Sequence, residues 1–149
     1  DADQAFAAFR GEVAAAADLE AAVRSADIVS AATMSQTPLI LGDWLPEGCH
    51  VDLVGAYKPT MRESDDSAIR RARVYVDTRA GAMKEGGDIV IPLQSGALTP
   101  QAIAGDLYDL TRGTALGRSS GAEITLFKSV GAALEDLAGA ILAYEGRAG

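Results

Sequence analysis

Residues 28–32 read Ile-Val-Ser-Ala-Ala, and their reading decides the fold. The run is short, uncharged and rich in β-branched and small side chains, as expected of a strand buried on both faces of a parallel sheet. Ahead of it, Asp18 stands as an N-cap before the helical stretch 19–26, with Leu19, Ala22, Val23 and Ala26 as its apolar positions. Behind it, Thr33-Met34-Ser35-Gln36-Thr37-Pro38 forms a loop. The same succession then recurs. Residues 49–55 (Cys-His-Val-Asp-Leu-Val-Gly) read as a second strand and 57–63 as a loop. Ser64 or Asp65 caps a short helix carrying Ile69 and Arg70-Arg71, and 73–77 (Arg-Val-Tyr-Val-Asp) is a third strand. Strands alternating with short helices define βα units, and hence an α/β protein with a parallel sheet.

The remaining segments fill in around these units. Residues 1–10, with Phe6 and Phe9 three apart, read as the end of an amphipathic helix, and 12–16 as a short strand. An apolar segment at 39–45 contains Trp44, and Pro46-Glu47-Gly48 makes a turn. Residues 79–85 are helical, Gly86-Gly87 breaks that helix, and 88–92 form another extended run. Thr99-Pro100-Gln101 opens a helix carrying Ile103, Leu107 and Leu110, with proline in its first turn. Residues 112–121 are a polar, glycine-rich loop. Ser129 then caps the longest helix, with Leu134, Leu137, Ala138, Ile141 and Leu142 on one face.

Composition bounds the function. The chain of 149 residues is long enough for one domain with a real core, and 23% charged residues argue against disorder. A formal net charge of −8 disfavours nucleic acid and anionic membrane as partners. Cys49 is the one cysteine, which excludes an intrachain disulfide and fits a cytoplasmic location; its place in a buried strand gives it a packing role. No apolar run is long enough to span a bilayer. The start, Asp1-Ala2-Asp3-Gln4, is neither a secretion signal nor a transit peptide, and the missing initiator Met suggests a fragment or a trimmed chain. One histidine and one cysteine make no zinc site, so no metal is expected. His50, in mid-strand, is read as structural.

In an open parallel sheet, ligands bind beyond the carboxyl ends of the strands. Two such ends stand out: Ala32-Thr33-Met34-Ser35, with two hydroxyls, and Gly55-Ala56-Tyr57-Lys58-Pro59, with close backbone approach, a phenol and an ammonium. Two hydroxyls alone more often satisfy turn backbone than a ligand. A third candidate, 125–131 (Thr-Leu-Phe-Lys-Ser-Val-Gly), sets a hydroxyl and free N–H groups at a helix start, although from the sequence alone a plain serine cap is the favoured reading. The sequence has no Gly-x-Ser-x-Gly elbow, no phosphate-binding Walker loop and no Gly-x-Gly-x-x-Gly fingerprint.

Four stretches carry a resemblance that spacing alone does not: ADIVSAATMSQTPLI (26–40), LPEGCHVDLVGAYKPTMRESDD (45–66), RVYVDTRAGAMKEGGDIVIPL (73–93) and EITLFKSVGAALEDLAGAILAYE (123–145). In order and spacing they resemble the second half of the ornithine cyclodeaminase, mu-crystallin and ketimine reductase family. The resemblance implies a Rossmann-like NAD(P)-binding domain, of which residues 1–112 supply the later strands. It implies that 113–149 are a loop and a helix returning to a substrate and dimerisation domain, in a homodimer. NAD or NADP is the implied cofactor, and a small amino or imino acid the implied substrate. By position, Ala31, Thr33, Val54, Gly55, Ala56 and Ser129 are expected to bind cofactor, and Val130 and Gly131 to face substrate.

One departure bears on the reaction. Cyclodeaminases carry an aspartate acid/base where this chain has Tyr57. Carboxylates ordinarily titrate near ~4 and phenols near ~10, so a tyrosine donates a proton where an aspartate accepts one. The resemblance therefore implies hydride transfer at the α-carbon of an amino or cyclic imino acid, by an imine reductase or an amino-acid dehydrogenase. Tyr57 is the candidate proton donor and Lys58 a candidate charge support. The alternatives are ornithine cyclodeaminase proper, a lyase, and a non-catalytic binding or dimerising fragment. The grips for pyrophosphate and for substrate carboxylate are expected outside this chain, so the chain alone should show no turnover.

Overall fold

Local capping signals place the first elements where the sequence puts them. The computed structural model describes residues 11–146. Asp18 caps α1 (Leu19–Arg24), its carboxylate accepting from the Ala21 N–H at 3.2 Å. Of the two candidate caps before α2 (Asp66–Arg71), Asp65 takes the role, accepting from the Ala68 N–H at 2.8 Å. Thr78 caps α3 (Arg79–Glu85), which ends at Gly86. The expected helix at 1–10 lies outside the described residues, and 12–16 form no strand.

Among the described residues five strands, not three, make one sheet. In chain order they are β1 (Ile28–Ala31), β2 (His50–Leu53), β3 (Ala72–Val76), β4 (Ile103–Asp106) and β5 (Ile124–Lys128). Their spatial order is β1-β2-β5-β3-β4, and every neighbouring pair is parallel. The last strand therefore inserts between β2 and β3, with Leu126 opposite Val51 on one side and Val74 on the other. Val51, Leu53, Val76 and Leu126 are wholly buried, and each such side chain contributes roughly 1.5–3 kcal/mol of burial free energy. Burial on both faces belongs to this centre rather than to β1. There Val29 and Ala31 point into the core, Ser30 is exposed and Ile28 is 68% exposed.

Three assignments change, each because tertiary pairing or burial overrides a local signal. The segment expected as a helix from Thr99 is a single 3-10 turn, Pro100–Ala102, followed by β4. Asp106 then caps the separate helix α5 (Leu107–Arg112) through a reciprocal box with Asp109. Residues 88–92 are helical, within α4 (Gly87–Ser95). Its β-branched residues favour strand, but it is a buried helix, with Ile89, Val90 and Pro92 in the interior. Residues 124–128, expected to lead into a Ser129-capped helix, are β5. The long helix α6 begins four residues later (Ala133–Glu145), and Ser129 does not cap it. Among the described residues no helix is long and apolar enough to cross a membrane.

Cys49 is buried directly before β2 and packs in the core, as its position suggests. His50 opens β2, its Nδ1 2.8 Å from the Thr125 hydroxyl on β5. Burial pushes the imidazole below its ordinary value of 6.5; Asp52 opposes this and Arg118 reinforces it. The charged ring is thus disfavoured in the folded state, so stability is lost as pH falls from 6.5 through the lowered value. An NMR titration of this single histidine is expected to give a midpoint below 6.5; a midpoint at or above it would contradict the assignment.

Candidate active site

Because all five strands are parallel, their carboxyl ends lie on one edge of the sheet. The loops after β1, β2 and β5 carry the sequence-predicted residues, and those strands are neighbours. The ladder continues past the strand ends and holds the turns in register. The Val54 N–H donates to the Ala31 carbonyl at 2.8 Å, Ser129 to Leu53 at 3.0 Å and Asp77 to Lys128 at 3.1 Å. Thr33, Val54, Gly55, Ser129, Val130 and Gly131 are thereby gathered on this edge, half-buried or exposed, while Ala31 and Ala56 are buried beneath it. Tyr57 is 46% exposed, with the Lys58 ammonium 5.6 Å from its ring centroid.

Under the β1 and β2 turns lies a carboxylate that the sequence did not flag. Glu63 is fully buried and accepts from the Thr33 N–H at 2.5 Å and the Gly55 N–H at 2.9 Å. Gly55 is required for this contact. A Cβ there would lie 2.1 Å from the Thr33 carbonyl oxygen and 2.2 Å from Glu63 Oε1. The Glu63 backbone is fixed as well: its carbonyl accepts from the Leu39 and Ile40 N–H groups, and its N–H donates to Asp88 at 2.9 Å.

Asp88, at the buried start of α4, also accepts from the N–H and hydroxyl of Ser64 at 2.8 and 3.0 Å. Its other oxygen faces Lys128 Nζ at 3.8 Å, an ion pair with both side chains wholly buried. Burial drives the Lys128 ammonium below its usual range; Asp88, then Glu63, Asp77 and Asp52, offset part of that. Lys128 is thus the counter-charge of a carboxylate cluster. The same burial that disfavours its charge makes each neighbouring carboxylate depend on backbone N–H donors.

The third turn hangs on Asp77, also fully buried. One of its oxygens accepts from the Val130 N–H at 2.7 Å, the Gly131 N–H at 2.9 Å and the Ser129 hydroxyl at 3.2 Å. The other accepts from the Thr78 N–H at 2.6 Å. Ser129 therefore clamps the loop to β3, and a Cβ on Gly86 would meet the Val130 side chain at 2.8 Å, so Val130 packs toward the end of α3. A groove of about 240 Å³ beneath α6 adjoins Asp77 and Thr78, but none of Thr33, Gly55 or Glu63 lines it. The residues missed in sequence, Glu63, Asp77, Asp88 and Lys128, are charged side chains beside strand ends. Lys128, directly after the apolar pair Leu126-Phe127, is the one visible anomaly among them.

The chain belongs to the ornithine cyclodeaminase/mu-crystallin family, whose model matches residues 2–149. It is 50% identical over 126 residues to a Delta(1)-pyrroline-2-carboxylate reductase of Paracoccus denitrificans, covering 85% of this chain and 40% of that protein. The ketimine reductase mu-crystallin of Mus musculus is 37% identical over 136 residues, covering 91% and 41%. The Delta(1)-pyrroline-2-carboxylate reductase of Thermococcus litoralis, solved in complex with NADH and L-proline, superposes with a TM-score of 0.80 at 39% identity, over 85% of this chain and 39% of that one. The chain spans about two fifths of the length of these relatives.

Replacing Asp77 with Ala leaves the N–H groups of Thr78 and Val130 without their acceptor, and the Gly131 N–H with only the Ser129 hydroxyl at 3.2 Å. The expected loss is about 2–4 kcal/mol of unfolding free energy in urea. A change below about 0.5 kcal/mol, the range of an ordinary surface substitution, would show that the clamp carries no weight.

Proposed function

We propose that this chain forms the nicotinamide-facing edge of an NAD- or NADP-dependent reductase of cyclic imino acids, or of a dehydrogenase of the corresponding amino acids. The observation that carries this reading is the convergence of the β1, β2 and β5 turns on one carboxyl edge, where open parallel sheets take their ligands. The residues present suit such a cofactor: small Ala32 and Gly131 lie exposed on the edge, and Gly55 approaches the neighbouring turn as no larger residue can. The relatives named as pyrroline-2-carboxylate and ketimine reductases support the reaction class.

Hydride transfer is the chemistry a bound nicotinamide supplies. The chain's own residues position and protonate. Thr33, Val54, Gly55 and Ser129 line the cofactor side, and Val130 and Gly131 the substrate side. Tyr57, exposed next to Gly55–Ala56, donates a proton or hydrogen bond at the substrate nitrogen, and the Lys58 ammonium over its ring supports the charge. The phenol in place of the cyclodeaminase acid favours reduction over cyclisation with loss of ammonia. The pyrophosphate grip and the carboxylate-binding cations belong to the rest of a longer protein. We place residues 1–112 in the cofactor domain and 113–149 in a segment reaching a dimerisation domain, within a cytoplasmic homodimer. That placement is supported by α6, which buries none of its residues and leaves Leu134, Leu137, Ile141 and Leu142 roughly half exposed or more.

The full-length protein carrying this chain is expected to consume NADH or NADPH with Delta(1)-pyrroline-2-carboxylate. Tyr57→Phe should lower kcat by about a hundredfold or more, the low end of what a positioned acid contributes. The isolated 149-residue chain should show no turnover. Loss of ammonia from ornithine without imine reduction would overturn the reading, and unchanged turnover in Tyr57→Phe would remove that residue from it.

A further inference from the structure

Glu63 is the charged group whose presence the reaction chemistry does not explain. It is wholly buried, so it meets neither solvent nor a ligand on the open edge. An ionised carboxylate in such a place is costly unless donors surround it. Its two oxygens are committed to the backbone N–H groups of Thr33 and Gly55, which belong to different turns on adjacent strands. Drawing both N–H groups inward fixes how each turn presents itself on its outer side. The space a Cβ of Gly55 would need is occupied by the Thr33 backbone and by Glu63 Oε1 itself, so turn, turn and carboxylate pack as one unit.

That unit is braced from behind. Asp88 holds the backbone of Glu63 and Ser64, the β1 loop donates to the Glu63 carbonyl through Leu39 and Ile40, and Arg62 Nε donates to the Ser64 carbonyl at 2.6 Å. A carboxylate fits this position in a way its amide cannot. The Thr33 and Gly55 N–H groups each donate to a different oxygen of Glu63, and glutamine would set an NH₂ donor against one of them.

We propose that Glu63 is a positioning residue: its buried carboxylate sets the separation and orientation of the Thr33 and Gly55 turns, between which the nicotinamide end of the cofactor lies. This rests on the functional reading above. Glu63 touches no reacting atom and acts through Thr33 and Gly55. Displacement of either turn misplaces the hydride relative to the imine carbon, and rates of positioned reactions fall steeply with small misplacements. Substrate binding, which depends on groups elsewhere, is much less affected.

The test compares the native full-length enzyme with Glu63→Gln and Glu63→Asp, using NADH or NADPH, Delta(1)-pyrroline-2-carboxylate and the 4-deuterated cofactor. If the native enzyme binds no dinucleotide, the functional reading fails and the role of Glu63 falls with it. If the native enzyme is active, the outcome bears on Glu63 alone. Folded Glu63→Gln is expected to lose at least about tenfold in kcat, with substrate KM changed by less than about threefold and a larger primary deuterium isotope effect, as misplaced hydride transfer becomes rate-limiting. Should Glu63→Gln fail to fold, Glu63→Asp keeps the charge beside Lys128 but is one methylene too short to reach both N–H groups, and the same split is expected. A folded variant of either kind with kcat and isotope effect within about twofold of native would overturn the proposal.

Discussion

The carboxylate of Glu63, held between the N–H groups of Thr33 and Gly55, is the constraint on which the carboxyl edge of this sheet depends. Parallel strands bring their ends to one side, but nothing in the ladder dictates how the chain turns once the strands stop. Here a buried charge does so for two strands at once. It is tolerable because its environment is built from dipoles and a single counter-charge. Backbone N–H groups face Glu63, Asp77 and Asp88, and the Lys128 ammonium sits in the same interior. Removing one partner from such a cluster strands the others, so the four residues stand or fall together.

Asp77 extends the same principle to the third turn. β3 precedes β5 in the chain, and the clamp from Asp77 to residues 129–131 joins the end of β3 to the turn after β5, which lies between β2 and β3. The central strand is thus the last in sequence, and both the core around Leu126 and the third turn of the edge depend on its place in the sheet. Long-range closure of this kind concentrates the geometry of the candidate site in a few non-local contacts.

Much of the frame was legible in the sequence. β1, β2 and β3 announced themselves as short β-branched runs between turn residues, and Asp18, Asp65 and Thr78 stand where helices begin. The turns after β1 and β2 were legible for the same reason: each follows an apolar run and holds small or hydroxylated residues, whereas 129–131 read as a helix start. What escaped was set by partners distant in sequence. Ile-Ala-Gly-Asp at 103–106 is too short and too rich in small residues to read as a strand without β3 beside it. Ile89-Val90-Ile91 looks extended until its burial as a helix is seen. Ser129 looks like a cap until Asp77, more than fifty residues away, claims its hydroxyl. Glu63 reads as one polar residue in a polar loop, because the N–H groups that justify it lie thirty and eight residues distant.

If Glu63 holds the edge, two backbone N–H groups formally in loops are as well protected as the core. Hydrogen exchange followed by NMR in the full-length protein measures this residue by residue. The Thr33 and Gly55 amides are predicted to exchange only through the large-scale opening that also releases the amides of β2 and β5. Exchange at rates within about tenfold of an unstructured peptide, as expected for mobile loop amides, would contradict it.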